Sequence, residues 1–115
     1  MAGKPQWTDE EVIMVLSLYF EYGQLPASDR KVVEASRVMS ALPVNINGDH
    51  AGTVRQPGAV AMKLANFSYA DNPRGGLRNV GPRDRRFFDT YEDCRDNCHE
   101  RAQAIRRSVT SGRQS

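Results

Sequence analysis

Thr8-Asp9-Glu10-Glu11, followed by the apolar run Val12-Ile13-Met14-Val15-Leu16, decides where the first helix of this chain begins. The Thr8 hydroxyl can accept a hydrogen bond from the Glu11 amide, and the Glu11 carboxylate can accept one from the Thr8 amide. Apolar side chains then recur at helical spacing up to Phe20, and Gly23 can adopt the left-handed conformation that ends a helix. The pattern predicts helix one over residues 9–22.

Three further helices are predicted by the same signals. Each begins at a capping residue or a proline and carries apolar side chains on one face. They are expected over residues 29–41, 57–67 and 83–107. Helix four is predicted as one continuous element, because the apolar positions from Phe87 to Ile105 keep helical spacing.

The 115 residues suit one domain, which we expect over 1–107, with a polar flexible tail or linker over 108–115. A loop rich in glycine and arginine follows helix three and contains Gly75-Gly76. We therefore expect a mainly α fold of four helices in a winged-helix-like arrangement, with this loop in the position of the wing.

Composition and cysteine spacing indicate the cellular compartment in which we expect the chain to act. The longest apolar run, Val12 to Leu16, is far shorter than the roughly 20 residues of a membrane span, so no membrane association is expected. Residues 1–6 lack the apolar stretch of a secretory signal. Cys94 and Cys98 are four positions apart in a predicted helix, where a disulfide is awkward. These features predict free thiols and a cytoplasmic location.

Charge is distributed unevenly along the chain. The net charge of +2 combines four Lys/Arg and seven Asp/Glu in residues 1–50 with twelve and seven in residues 51–115. The first part therefore carries −3 and the second +5. An excess of guanidinium groups suits the phosphate oxygens of a nucleic acid, so the second part is the candidate anion-binding region.

Helix three offers side chains that could read a DNA groove. If Val60, Leu64 and Phe67 face the core, the other sides of the helix carry Gln56, Lys63 and Asn66, beside the small Ala59. Glutamine and asparagine can pair with adenine, and a small residue permits close approach to a base. The alternative is an ordinary solvated face.

Basic residues on both sides of helix three complete the candidate site. We expect Arg55, Gln56, Lys63 and Asn66 to read or anchor DNA, and Arg74, Arg78 and Arg83 to hold phosphate. Glycine in the loop would let main-chain amides approach phosphate, although a plain connector would have the same composition. Seven such contacts would make affinity fall steeply with salt.

Catalysis and cofactor binding are not expected. The chain has no Ser/His/Asp or Cys/His set with supporting signals and no phosphate-binding loop. Cys94, Cys98 and His99 could suggest zinc, but their spacing does not aim them at one point, and a fourth ligand would have to come from a loop. Two thiols on a helix packing face explain the same residues without a metal.

The segment Arg55 to Phe67, with Gly75-Gly76-Leu77 after it, resembles the N-terminal domain of bacterial HNH endonucleases. The block Met62-Lys63-Leu64-Ala65-Asn66-Phe67 carries the similarity, and the opening from Trp7 to Glu11 extends it to roughly residues 7–92. Gln56 stands where the family usually has asparagine, and the chain lacks the histidine-rich HNH metal motif.

The resemblance, which is to McrA-type modification-dependent restriction enzymes, implies that this region binds double-stranded DNA while a separate domain cuts it. Some relatives in that family carry modules for methylated or phosphorothioated DNA. The alternative function is a protein-interaction or homodimerisation module that pairs through Phe88, Tyr91 and Ile105 of helix four. RNA binding ranks lower, because no aromatic sheet motif is present.

Overall fold

The computed structural model describes residues 7–41, 56–71 and 81–114, with side chains up to Val109. These ranges contain no strand, which confirms the predicted mainly α class. They form five helices: α1 (Asp9–Tyr22), α2 (Arg30–Ser40), α3 (Pro57–Asp71), α4 (Pro82–Tyr91) and α5 (Arg95–Gln114). None of these five helices combines the length and apolar character needed to cross a bilayer.

The predicted capping box starts α1. The Thr8 amide donates to Glu11 Oε1 at 2.9 Å, and the Glu11 amide donates to Thr8 Oγ1 at 3.2 Å. At the other end, Gly23 has a φ of 78°, a value that L side chains rarely adopt, and its amide donates to the Tyr19 carbonyl at 2.7 Å. Both ends of helix one were therefore readable from the sequence.

The prediction of a single helix over 83–107 is wrong. A turn at Glu92 to Cys94 separates α4 from α5, and the Cys94 amide donates to the Tyr91 carbonyl across it at 3.0 Å. Tyr91 before the turn and Cys98 after it are both buried in the same core. The helix is interrupted while the apolar residues on both sides stay inward, so the apolar spacing did not reveal the break.

Other boundaries also differ from the expected ones. Helix α3 continues to Asp71, and α5 continues beyond 107 to Gln114, with Val109 buried where a polar tail was expected. Five helices thus replace the expected four. The winged-helix-like arrangement is not confirmed, because no strand occurs in the described ranges and the Gly75-Gly76 loop lies outside them.

Helix α1 lies at the centre of the fold and packs against all four other helices. Every side chain from Glu11 to Leu18 is buried, so this helix has no solvated face in its middle. Helix α3 contributes Val60, Leu64 and Phe67 to the same core, and α4 contributes Phe88. Since α3 also contacts α2 and α4, the α1–α3 pair supports the rest of the chain.

We expect the substitution Leu64→Ala to lower the free energy of unfolding by about 2–5 kcal/mol, because it removes a fully buried side chain from this core. Met62→Ala, two residues earlier on the same helix, is the matched control. Met62 is 70% exposed, so its truncation should change stability by no more than about 0.5 kcal/mol. Urea denaturation followed by circular dichroism measures both; equal losses would contradict the described orientation of α3.

Candidate nucleic-acid interface

Four of the seven predicted contact residues lie in the described ranges: Gln56, Lys63, Asn66 and Arg83. The other three, Arg55, Arg74 and Arg78, lie outside the described residues. Gln56 is exposed immediately before α3 and is available to a ligand. The remaining three described residues are held by contacts within the fold.

Lys63 forms a nearly buried ion pair with Asp84 of α4. Its Nζ lies 3.0 Å from Oδ1 and 2.9 Å from Oδ2, and the two side chains are only 12% and 7% exposed. The same Nζ lies 4.7 Å from the centre of the Trp7 ring, which adds a cation–π contact. Lys63 therefore joins α3 to α4 and to the segment before α1.

Asn66 contributes to the same cluster, and Arg83 directly precedes Asp84 in the chain. Asn66 Nδ2 donates to Asp84 Oδ2 at 3.3 Å. Arg83 donates to the Trp7 carbonyl and to the Asp9 carboxylate at the start of α1. These contacts place the predicted DNA ligands Lys63, Asn66 and Arg83 in links between helices. Sequence spacing had put Lys63 and Asn66 on a polar face of helix three but could not show which protein groups they meet.

The chain from Arg55 to Arg86 holds seven Lys/Arg and two Asp, and we call this segment the basic run. Its last two arginines lie on α4 and point to solvent. Arg85, Arg86, Asp89 and Thr90 are exposed, and with Pro82 they line one open depression of about 590 Å³. We call this surface the α4 outer face. Arg85 and Arg86 belong to the basic run but were not among the predicted contacts.

The order of the charged residues in α4 could have predicted this exposed basic surface. Asp84 lies four positions before Phe88 and seven before Tyr91, both of which are buried, so all three share the inward side of the helix. Arg85 and Arg86 follow Asp84 and fall on the opposite side. The inward acid is neutralised by Lys63, and the outward arginines are left to solvent.

The guanidinium groups of these two arginines make no hydrogen bond or ion pair with any residue that the structure describes. The ion pairs found among the described residues instead involve Lys63, Arg83 and Arg106, and the last of these pairs with Glu34. Guanidinium groups that are exposed on a helix can donate hydrogen bonds to an external anion. Among the described residues, Asp89 is the one acidic side chain that lines the depression.

The residues weighed for zinc do not converge. The Cys98 thiol donates to the Ile13 carbonyl at 3.6 Å, and the Cys94 thiol donates to the Thr90 carbonyl at 3.3 Å. His99 Nδ1 lies 2.6 Å from Ser17 Oγ. Within the described ranges, no three His, Cys, Asp or Glu side chains are placed to hold a metal ion. His50 lies outside these ranges.

The side chains expected to pair two chains in a protein-interaction module are used within this chain's own fold. Phe88 and Tyr91 are buried in this chain's own core, and Ile105 packs against it. Phe88 lies in an aromatic cluster with Tyr19 and Phe20, with ring centroids 6.4 Å and 5.7 Å away. Pairing of two chains through these side chains would therefore require the core to open.

Comparison of the chain with protein families, with curated proteins and with solved structures finds no match.

Replacing Lys63 by methionine should lower the free energy of unfolding by about 3–5 kcal/mol, because it leaves the Asp84 carboxylate buried without its cation. The double variant Lys63→Met/Asp84→Leu should regain much of this loss, since neither charge then remains. Glu34→Ala removes the surface pair with Arg106 and serves as the control, with an expected loss below about 1 kcal/mol. A double-mutant cycle by urea unfolding would contradict the buried pair if the single losses simply added.

Alkaline pH should destabilise the fold through Cys98. Burial raises the pKa of its thiol from 9.0 to about 12, so the folded chain retains a proton that the unfolded chain releases. The resulting stability is fully present below about pH 9 and is lost as the pH rises toward 12. Burial, followed by the hydrogen bond to Asp71, likewise raises the pKa of Tyr19 to about 12.

The variant Cys98→Ala isolates the thiol's part of this effect. Between pH 9.5 and 11 its stability should fall less steeply than that of the unmodified chain, by up to about 1.4 kcal/mol per pH unit. Cys94→Ala, at the half-buried second thiol, should retain most of the steeper slope, because burial is the main cause of the raised Cys98 pKa and the neighbouring Cys94 a smaller one. Thermal unfolding at several pH values gives the slopes, and identical slopes for all three chains would contradict the buried thiol.

Proposed function

We propose that this chain is a DNA-binding module that contacts double-stranded DNA through the α4 outer face. One observation carries the proposal: Arg85 and Arg86 are exposed side by side without a partner among the described residues, while the acid beside them, Asp84, is turned inward and neutralised. Helix α4 therefore presents positive charge where its composition alone, with three arginines and two aspartates, is nearly balanced.

The surrounding sequence strengthens the positive character of this region. Arg74 and Arg78 precede α4 by fewer than ten residues, and the chain from residue 51 onward carries a net charge of +5. Guanidinium groups form paired hydrogen bonds with phosphate oxygens, and each neutralised phosphate releases counterions. A polyanion is therefore the ligand class that this surface suits best, and duplex DNA is the member that we propose.

The resemblance of residues 7–92 to the front domain of HNH endonucleases supports a more specific role. We propose that the chain is the recognition domain of a bacterial HNH-type restriction endonuclease in the cytoplasm, and that it binds DNA without cutting it. Cleavage would belong to a separate domain with its own metal site. Methylated and phosphorothioated duplexes are the modified ligands to compare with unmodified DNA.

Self-association is a second candidate function, and one observation favours it. Met62 is 70% exposed on α3, whose charged side chains, Lys63 and Asp71, are both engaged with other parts of the fold. An uncharged helix face with an exposed methionine resembles the centre of a protein interface. Sedimentation at several chain concentrations, without DNA, distinguishes this candidate: a mass that rises with concentration supports it, and a constant monomer mass excludes it.

The double variant Arg85→Ala/Arg86→Ala should weaken binding to a duplex of about 20 base pairs by roughly tenfold per arginine, since each charged hydrogen bond contributes about 1.5 kcal/mol or more. The slope of log affinity against log salt should become shallower by about two. Arg30→Ala/Arg37→Ala on α2 removes the same charge from another exposed surface and is the matched control.

Fluorescence anisotropy titrations at two salt concentrations measure both quantities, with unmodified, cytosine-methylated, adenine-methylated and phosphorothioated duplexes. Equal weakening by the two double variants would assign the effect to net charge and contradict a contact at α4. A duplex preferred for its modification would identify the chain as a reader of modified DNA. Absence of binding to every duplex would overturn the proposed function.

A further inference from the structure

The α4 outer face combines two kinds of polar group in one depression. Arg85 and Asp89 are one helical turn apart, as are Arg86 and Thr90, so the four side chains form two adjacent rows. Arginine supplies only hydrogen-bond donors, and an ionised aspartate supplies only acceptors. Asp89 makes no ion pair with either arginine, and within the described part of the chain it has no other charged partner.

A carboxylate in the middle of this surface is informative about the ligand. A surface that held only phosphate would be weakened by Asp89, because two negative charges would be brought close together. The edge of a base pair, in contrast, offers both acceptors and donors. In the major groove, guanine presents its O6 and N7 acceptors to arginine, and cytosine presents its N4 amino donor to aspartate. Arginine beside aspartate thus complements a guanine–cytosine pair.

The dimensions and support of α4 fit this role. Ten residues form a helix of about 15 Å, and the major groove, about 12 Å wide, admits an α-helix. The inward side of α4 is fixed by Phe88 and Tyr91 in the core and by the Asp84–Lys63 pair. The Thr90 hydroxyl donates to the Arg86 carbonyl at 2.8 Å, which leaves its methyl group for apolar contact.

From this arrangement we infer that α4 is a recognition helix that reads a guanine–cytosine base pair in the major groove of duplex DNA. Arg85 and Arg86 supply the donors to guanine, and Asp89 accepts from the cytosine amino group. The inference rests on the proposed DNA-binding function and goes beyond it, because a surface that binds only the backbone would have no base preference. It also assigns base reading to α4 rather than to α3, where Lys63 and Asn66 are engaged.

The test begins with selection of bound duplexes from a random pool with the full chain, followed by anisotropy on the enriched duplex. The same duplex is then made with 7-deazaguanine, which keeps base pairing but lacks the N7 acceptor. We expect enrichment of a guanine–cytosine step and roughly tenfold weaker binding of the 7-deazaguanine duplex. The Arg85→Ala/Arg86→Ala variant should bind both duplexes equally.

The substitution Asp89→Ala distinguishes base reading from purely electrostatic binding. Removal of its negative charge should strengthen binding to unselected DNA while lowering the preference for the enriched duplex. Binding of the unmodified chain without sequence enrichment, or with equal affinity for the 7-deazaguanine duplex, overturns base reading but leaves the proposed DNA-binding function standing. Absence of any DNA binding overturns both, so the two failures can be distinguished.

Discussion

The nearly buried pair between Lys63 of α3 and Asp84 of α4 fixes the orientation on which the exposed surface depends. Two charges removed from water are tolerated only when their hydrogen-bonding capacity is satisfied, and the Asp84 carboxylate accepts from both Lys63 and Asn66. Rotation of α4 by one residue, about 100°, would expose Asp84 and turn Arg85 toward the core. The ion pair therefore opposes this alternative and keeps the arginines outside.

The same region ties the start of the chain to its second half. Trp7 contacts the Lys63 ammonium through its ring, and its carbonyl accepts from Arg83, which also pairs with Asp9. The first turn of α4 thus holds the N-terminal end of α1, the central helix of the core. Because α1 is buried on all sides in its middle, its position and that of α4 are determined together.

This division of charge has a functional consequence. The basic residues nearest the core in this region, Lys63 and Arg83, form ion pairs within the fold. The guanidinium groups farther out, those of Arg85 and Arg86, have no partner in the part of the chain that the structure describes. A helix held rigidly from beneath can present such groups with little loss of backbone conformational entropy, so that only the side chains have to be ordered on binding. The inward contacts of α4 therefore hold the helix in the orientation that its proposed DNA contacts require. The substitution of an inward residue should be interpreted as a change in the fold before it is interpreted as a change in recognition.

The sequence by itself determined the helical class, the capping box at Thr8, the end of α1 at Gly23 and the basic character of the second half. These features are set by interactions within a few residues or by composition. Only the tertiary structure decided that the helix predicted over 83–107 is broken at Glu92 to Cys94, because buried residues on both sides preserve the apolar spacing. It also decided which cations are available for a ligand. In the sequence, Lys63 and Asn66 fall on the same polar side of the helix whether or not Asp84 contacts them. Lys63 and Asp84 are 21 positions apart, so their contact leaves no local pattern in the sequence.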